Sequence, residues 1–130
     1  MYLKNQFLLP DGCKDLLPGE ASHKRSITNQ LISYFEKFGY DLVSPPMIEF
    51  EASLFANASD DLEKQTFRIL DPLSSQVIGI RPDVTIQTAR IPASRLKNAP
   101  MPLRLSYSGE ILRVKGYGLY ADRQMTQTGI

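Results

Sequence analysis

From about residue 19 to residue 38, the chain places Ile27, Leu31, Phe35 and Phe38 at helical spacing, with Lys24, Arg25, Asn29, Gln30, Ser33 and Lys37 elsewhere on the cylinder. This is the strongest helix signal in the sequence, and its aromatic and aliphatic stripe is expected to pack into a core. Pro18 suits the first turn, where a backbone N–H has no intrahelical partner anyway, and Gly39 suits the stop. Tyr40 to Val43 then reads as a short strand ended by Pro45 and Pro46.

The remainder alternates short extended and helical signals. "MIEFEASLFANASDDLEKQ" reads as a short helix and a polar loop, while "TFRIL" and "QVIGI" flank "DPLSS" as the arms of a β-hairpin. A helix is expected from about 84 to 96. Pro100 and Pro102 punctuate the chain before two extended segments, about 103 to 114 and 121 to 130, joined by "KGYGLY". Helix, hairpin, helix and long hairpin in that order predict an α+β domain with a mainly antiparallel sheet flanked by helices.

At 130 residues the chain is one domain at most, with enough length for a core. Its 42% hydrophobic and 22% charged residues are ordinary for a soluble globular protein, and no apolar run is long enough to cross a bilayer. The N-terminus lacks the architecture of a secretory signal, so a cytoplasmic location is the default expectation. One cysteine, Cys13, and one histidine, His23, allow neither an internal disulfide nor a Cys/His zinc cluster, and each is expected to be structural or exposed. A net charge of +1 does not supply the footprint that nucleic-acid binding usually needs. Internal repeats, Walker-type phosphate loops and Gly-x-Ser-x-Gly elbows are absent from the sequence, so neither a cofactor nor a metal is expected.

Two polar clusters stand out from this background. In "RPDVTIQTAR", Asp83 sits between a proline and the start of a helix, where a carboxylate serves either as the helix cap or as a ligand-orienting group at a strand-to-helix junction. In the long hairpin, Leu103, Leu105, Tyr107, Ile111 and Arg113 share one parity, so Arg113 ends a mostly apolar face and needs a carboxylate, a carbonyl or a ligand. Arg123 and Gln127 share a parity on the next strand. The two strands could therefore present Arg113, Arg123 and Gln127 together, or the arginines could be salt-bridged at a solvated edge.

"LPDGCKDLLPGE", "GYDLVSPPMIEFEASLF", "IRPDVTIQTAR" and "RLSYSGEILR", followed by "RQMTQTGI", resemble in order and spacing the N-terminal part of the histidyl-tRNA synthetase catalytic core. The resemblance covers nearly the whole chain and implies a class II aminoacyl-tRNA synthetase-like fold over residues 1–130, ending within the second motif. It places Pro46 at the proline of the first class II motif and Arg113 at the phosphate-contacting arginine of the second. Gln127 falls at the glutamine that meets histidine, and Asp83, with Thr85 beside it, at the glutamate that meets the substrate's α-amino group.

Two positions depart from the synthetase pattern: Lys115 stands where a carboxylate is expected, and Ala121 where the loop has its first arginine. Keeping the amino-acid end of the pocket while changing the nucleotide end is similar to the synthetase paralogues that serve as regulatory subunits of ATP phosphoribosyltransferase, as is "RPDVT". That resemblance implies a non-catalytic subunit that supports the ATP phosphoribosyltransferase catalytic subunit in the first step of histidine biosynthesis. It also implies histidine as feedback effector, bound by Asp83, Thr85, Arg113 and Gln127, and a homodimer within a hetero-oligomer that does not charge tRNA. The alternatives are a fragment of a histidine-tRNA ligase, and a binding module that uses the scaffold for protein contacts alone.

Overall fold

The computed structural model describes residues 8–116, 119 and 121–130. Helix α1 runs Pro18–Lys37, with Pro18 in its first turn and Leu17 as an extended N-cap. Gly39, at φ 77°, donates its N–H to the Glu36 carbonyl and turns the chain into β1, Asp41–Val43. There follow β2 (Ile48–Phe50), α2 (Glu51–Leu54) and α3 (Asp60–Lys64), the last capped by the Ser59 hydroxyl accepting from the Leu62 N–H. β3 (Phe67–Leu70) and β4 (Val77–Ile80) form the expected hairpin, and its turn is held by the Asp71 carboxylate accepting from the Leu73 and Ser74 backbone and the Ser74 hydroxyl. The chain finishes with α4 (Val84–Ser94), β5 (Leu105–Leu112) and β6 (Gln124–Gly129).

These strands make two three-stranded sheets, β1-β5-β6 and β2-β4-β3. Every pairing is antiparallel except β1 with β5, which is parallel. The α+β class and the mainly antiparallel arrangement agree with the sequence pattern. Two features do not. Ile48–Phe50, expected to open a helix, is instead a strand paired with β4, because three residues carry no usable period and their partner lies far along the chain. The long hairpin is shorter than its extended signals, and Tyr117, Gly118 and Tyr120 of its connecting loop lie outside the described residues.

The larger correction concerns α1, which buries none of its residues completely. Phe35 is half-buried, but Ile27, Leu31 and Phe38 remain 45%, 40% and 55% exposed. Ile27 and Leu31 do turn toward the β1-β5-β6 sheet, yet with Leu16 they line an open groove of about 680 Å³ rather than a filled core. The closed core lies on the opposite face of that sheet, where Val84, Tyr107 and Ile111 pack with Val43 and Met125.

Candidate functional site

Register decides what reaches the core face. Tyr107 pairs with Gly129, Gly109 with Gln127 and Ile111 with Met125, so alternation puts Gln127 on the same face as Tyr107 and Ile111. Past the end of β5, the Arg113 N–H still donates to the Arg123 carbonyl at 2.8 Å, which carries the alternation one pair further and keeps Arg113 on that side.

α4 meets this face with its N-terminus. Asp83 is the N-cap, in extended conformation, and its Oδ1 accepts from the Thr85 N–H at 2.7 Å. The same oxygen accepts from Gln127 Nε2 at 3.1 Å, while Gln127 Oε1 accepts from the Val84 N–H at 2.7 Å. One glutamine amide thus satisfies a helix-terminal donor and orients the cap carboxylate at once. Gln127 Nε2 also approaches Thr85 Oγ1 at 3.4 Å, and that hydroxyl shares a 2.7 Å hydrogen bond with the Tyr107 hydroxyl. Asp83, Thr85 and Gln127, picked out from the sequence, therefore form one connected polar array closed by Tyr107.

Arg113 joins the array from the side, its Nε donating to the Pro82 carbonyl at 3.2 Å, directly before Asp83. Arg123, opposite Arg113 in the ladder, does not join the other two in the array. Its N–H and NH1 donate to the Gly12 and Asp11 carbonyls, and its guanidinium lies 4.9 Å from the Phe67 ring centroid. Arg123 instead fastens the N-terminal segment. Gly12, at φ 76°, is needed there because a Cβ would lie 2.4 Å from the Ala121 carbonyl oxygen.

Tyr107 and Arg81 were not singled out by sequence reasoning. Tyr107 falls on an apolar parity, but a tyrosine there must find a partner for its hydroxyl, and that is the signal which could have pointed to Thr85. Gly129 leaves the room, since a Cβ at this position would sit 2.7 Å from the Tyr107 hydroxyl. Arg81 is buried, with Nε donating to the Glu110 carbonyl at 2.7 Å and NH1 to the Pro45 carbonyl at 2.9 Å. Burial lowers its pKa, and the Glu110 charge pushes it back up.

Chemically the array offers an anionic acceptor, a side-chain amide that both donates and accepts, and two hydroxyls, with a guanidinium alongside. Such a set suits a zwitterion: ammonium to Asp83, carboxylate to an arginine. Beside it, Arg113, Lys115, Lys64, Asp61 and Gln65 line a cleft of about 450 Å³, with the Lys115 N–H fixed to Gln65 Oε1 at 3.0 Å. Among the described residues there is no group of His, Cys, Asp and Glu side chains that could hold a metal ion, and no helix is long and apolar enough to cross a membrane.

Residues 12–130 match the family model described as histidyl-tRNA synthetase. The chain is 49% identical over 123 residues to a Rhodospirillum centenum protein and 50% identical over 126 residues to one from Paramagnetospirillum magneticum, both named ATP phosphoribosyltransferase regulatory subunit. These matches take in 95% and 97% of the chain but 32% and 33% of the relatives, so the chain spans about a third of the length of the curated relatives it matches. A crystal structure of an ATP phosphoribosyltransferase regulatory subunit/histidyl-tRNA synthetase from Bacillus halodurans is similar with a TM-score of 0.80 at 29% identity, over 95% of this chain and 31% of that one. The fold is that of a class II synthetase-like domain, and the chain belongs to the histidyl-tRNA synthetase family.

Proposed function

We propose that this sequence belongs to a regulatory subunit of ATP phosphoribosyltransferase. Such a subunit catalyses no reaction itself, supports a catalytic subunit in the first step of histidine biosynthesis, and takes part in feedback control by histidine. The observation that carries this reading is the identity of about half the residues to proteins bearing that name, over nearly the whole chain. Histidine is proposed to bind with its ammonium at Asp83, its carboxylate at Arg113, and Thr85 and Gln127 completing the set. The connected hydrogen bonds among Asp83, Thr85 and Gln127 support that assignment. A homodimer within a hetero-oligomer, in the cytoplasm, is part of the same proposal.

Lys115 and Ala121 support the non-catalytic reading. Lys115 reverses the charge where the synthetase pattern has a carboxylate that helps hold the nucleotide, Ala121 removes one charge-assisted partner of its phosphates, and preorganised electrostatics is usually the largest catalytic contribution. The second reading, a histidine-tRNA ligase, is favoured by the joint name of the Bacillus halodurans structure. One pair of assays separates them, run on a protein of the relatives' full length that carries this sequence. The regulator shows no histidine-dependent pyrophosphate exchange and raises the activity of a short ATP phosphoribosyltransferase subunit; robust exchange replaces it with the ligase. In the same activation assay, Asp83→Asn keeps an oxygen for the helix cap but loses the charge. It should weaken the histidine response by roughly 1–3 kcal/mol, the scale of a charge-assisted hydrogen bond, with activation retained. An unchanged histidine response returns Asp83 to capping alone.

A further inference from the structure

Gly109 lies directly opposite Gln127 in the β5–β6 ladder, on the face where the polar array is built. A Cβ at this position would stand 2.3 Å from Arg81 NH2 and 2.9 Å from Arg81 Cζ. The place beside Gln127 that a residue-109 side chain would fill is therefore taken by a guanidinium. Gly109 has no positive φ to require a glycine, so the requirement is one of space.

That guanidinium is fixed from several directions. Arg81 is 8% exposed; its Nε and NH1 reach the Glu110 and Pro45 carbonyls, its N–H donates to the Met47 carbonyl, and its own carbonyl accepts from the Leu112 N–H. One residue thus ties the segment at 45–47 to both ends of a short stretch of β5. The only residue between Arg81 and Asp83 is Pro82, which is fully buried and whose carbonyl holds Arg113. Proline has no freedom in φ, so a displacement of Arg81 passes to Asp83 with little slack. Through Pro82 it also reaches the anchor of Arg113.

We propose that Arg81 and Gly109 interlock to set the geometry of the Asp83–Gln127–Thr85 array, with Arg81 as the positioning residue of the site. The interlock rests on the reading of that array as the histidine site only for its consequence in binding; its structural content stands on the contacts above. Lysine cannot replace the arginine, because a single ammonium lacks the planar fork that bonds two carbonyls while covering a glycine.

The test is a double-mutant cycle of Gly109→Ala, Arg81→Lys and their combination, read by the NMR resonances of the Gln127 side-chain amide, by hydrogen exchange of the Val84 and Thr85 amides, and by histidine titration. Each single change should shift the Gln127 amide and speed exchange at Val84 by about tenfold or more, while the β3–β4 hairpin amides stay as in the wild type. Histidine affinity should fall by a similar factor. Because Gly109→Ala acts by displacing the guanidinium, the double variant should be no worse than Arg81→Lys alone, a strong non-additivity. Purely additive losses, or a folded Gly109→Ala with an unmoved Gln127 amide, overturn the interlock. Should Gly109→Ala fail to fold, an unmoved Gln127 amide in Arg81→Lys overturns it equally. A wild type that binds no histidine sinks the effector reading instead, and the amide measurements still decide the interlock.

Discussion

The two faces of the β1-β5-β6 sheet are built by different means. On one, Val84, Tyr107 and Ile111 are closed off from water, and the polar groups among them are paired: Gln127 with Val84 and Asp83, Thr85 with Tyr107. On the other, alternation places Ser108, Glu110, Gln124, Thr126 and Thr128, and the last four line an open groove between the sheet and α1. Attachment there is electrostatic: Glu110 accepts from Lys24 at 2.9 Å and from the Thr126 hydroxyl, while Ser108 and Thr128 pair across the strands. A face held by apolar burial around a bonded array keeps its groups in place without a ligand. A face held by charge across a gap depends on solvent and pH.

Stability measurements should expose that asymmetry most strongly through Tyr107→Ala, which empties a buried aromatic position beside Val84 and Ile111. A loss of about 3–5 kcal/mol in urea unfolding is expected. Ile27→Ala on the groove side, 45% exposed, should change stability by no more than about 0.5 kcal/mol. Equal losses at the two positions would mean that the groove is closed in solution and the contrast between the faces is wrong.

A milder change separates packing from hydrogen bonding within the closed face. Tyr107→Phe keeps the ring and removes the hydroxyl that meets Thr85 Oγ1 at 2.7 Å, so about 0.5–1.5 kcal/mol should be lost. Exchange of the Thr85 amide should quicken with it, because Thr85, Asp83 and Gln127 share one set of bonds. A stability unchanged within error would show that solvent replaces the tyrosine hydroxyl at no cost.

How much of this was legible beforehand follows from how local each cause is. Pro18 and Gly39 bracket α1 in the sequence, and the helix ends within a residue or two of them. The capping role of Asp83 was readable because Pro82 and the following helix period sit beside it. The hairpin was readable from two apolar runs around "DPLSS". What escaped is set by partners far along the chain: the parallel pairing of Asp41 with Leu105, the strand at Ile48–Phe50, the Arg81 fork over Gly109, and the Tyr107–Thr85 bond. The aromatic stripe of α1 was real as a pattern, but a helical period says only that one side is apolar, not that something fills the space before it. The roles offered for Asp83, Thr85, Arg113 and Gln127 came from the family resemblance, since a carboxylate at a helix start is by itself only a cap.

The smallest expected effect tests the electrostatic face and is a matter of pH. Burial pushes the Glu110 carboxyl up, but hydrogen bonds from Thr126 and Lys24, with the Lys24 charge, outweigh it and hold the group below the ordinary carboxylate range. In the unfolded chain a glutamate titrates near about 4.3. A carboxyl whose folded value is depressed adds stability that is fully present above that unfolded value and disappears as pH falls through the folded one. Lys24→Met removes the charge and the donor. The wild type should therefore exceed the variant at pH 7, by under about 1 kcal/mol because the pair is about a third exposed. The gap should hold to about pH 5 and close toward pH 3, and added salt at neutral pH should narrow it. Tyr107→Phe, on the other face, involves no titrating carboxylate in its lost bond, so its deficit should stay level across the same range. A gap for Lys24→Met that is also level from pH 7 to pH 3 would mean that the lysine holds α1 by packing its methylenes rather than by charge, and the two faces would then differ in closure but not in kind.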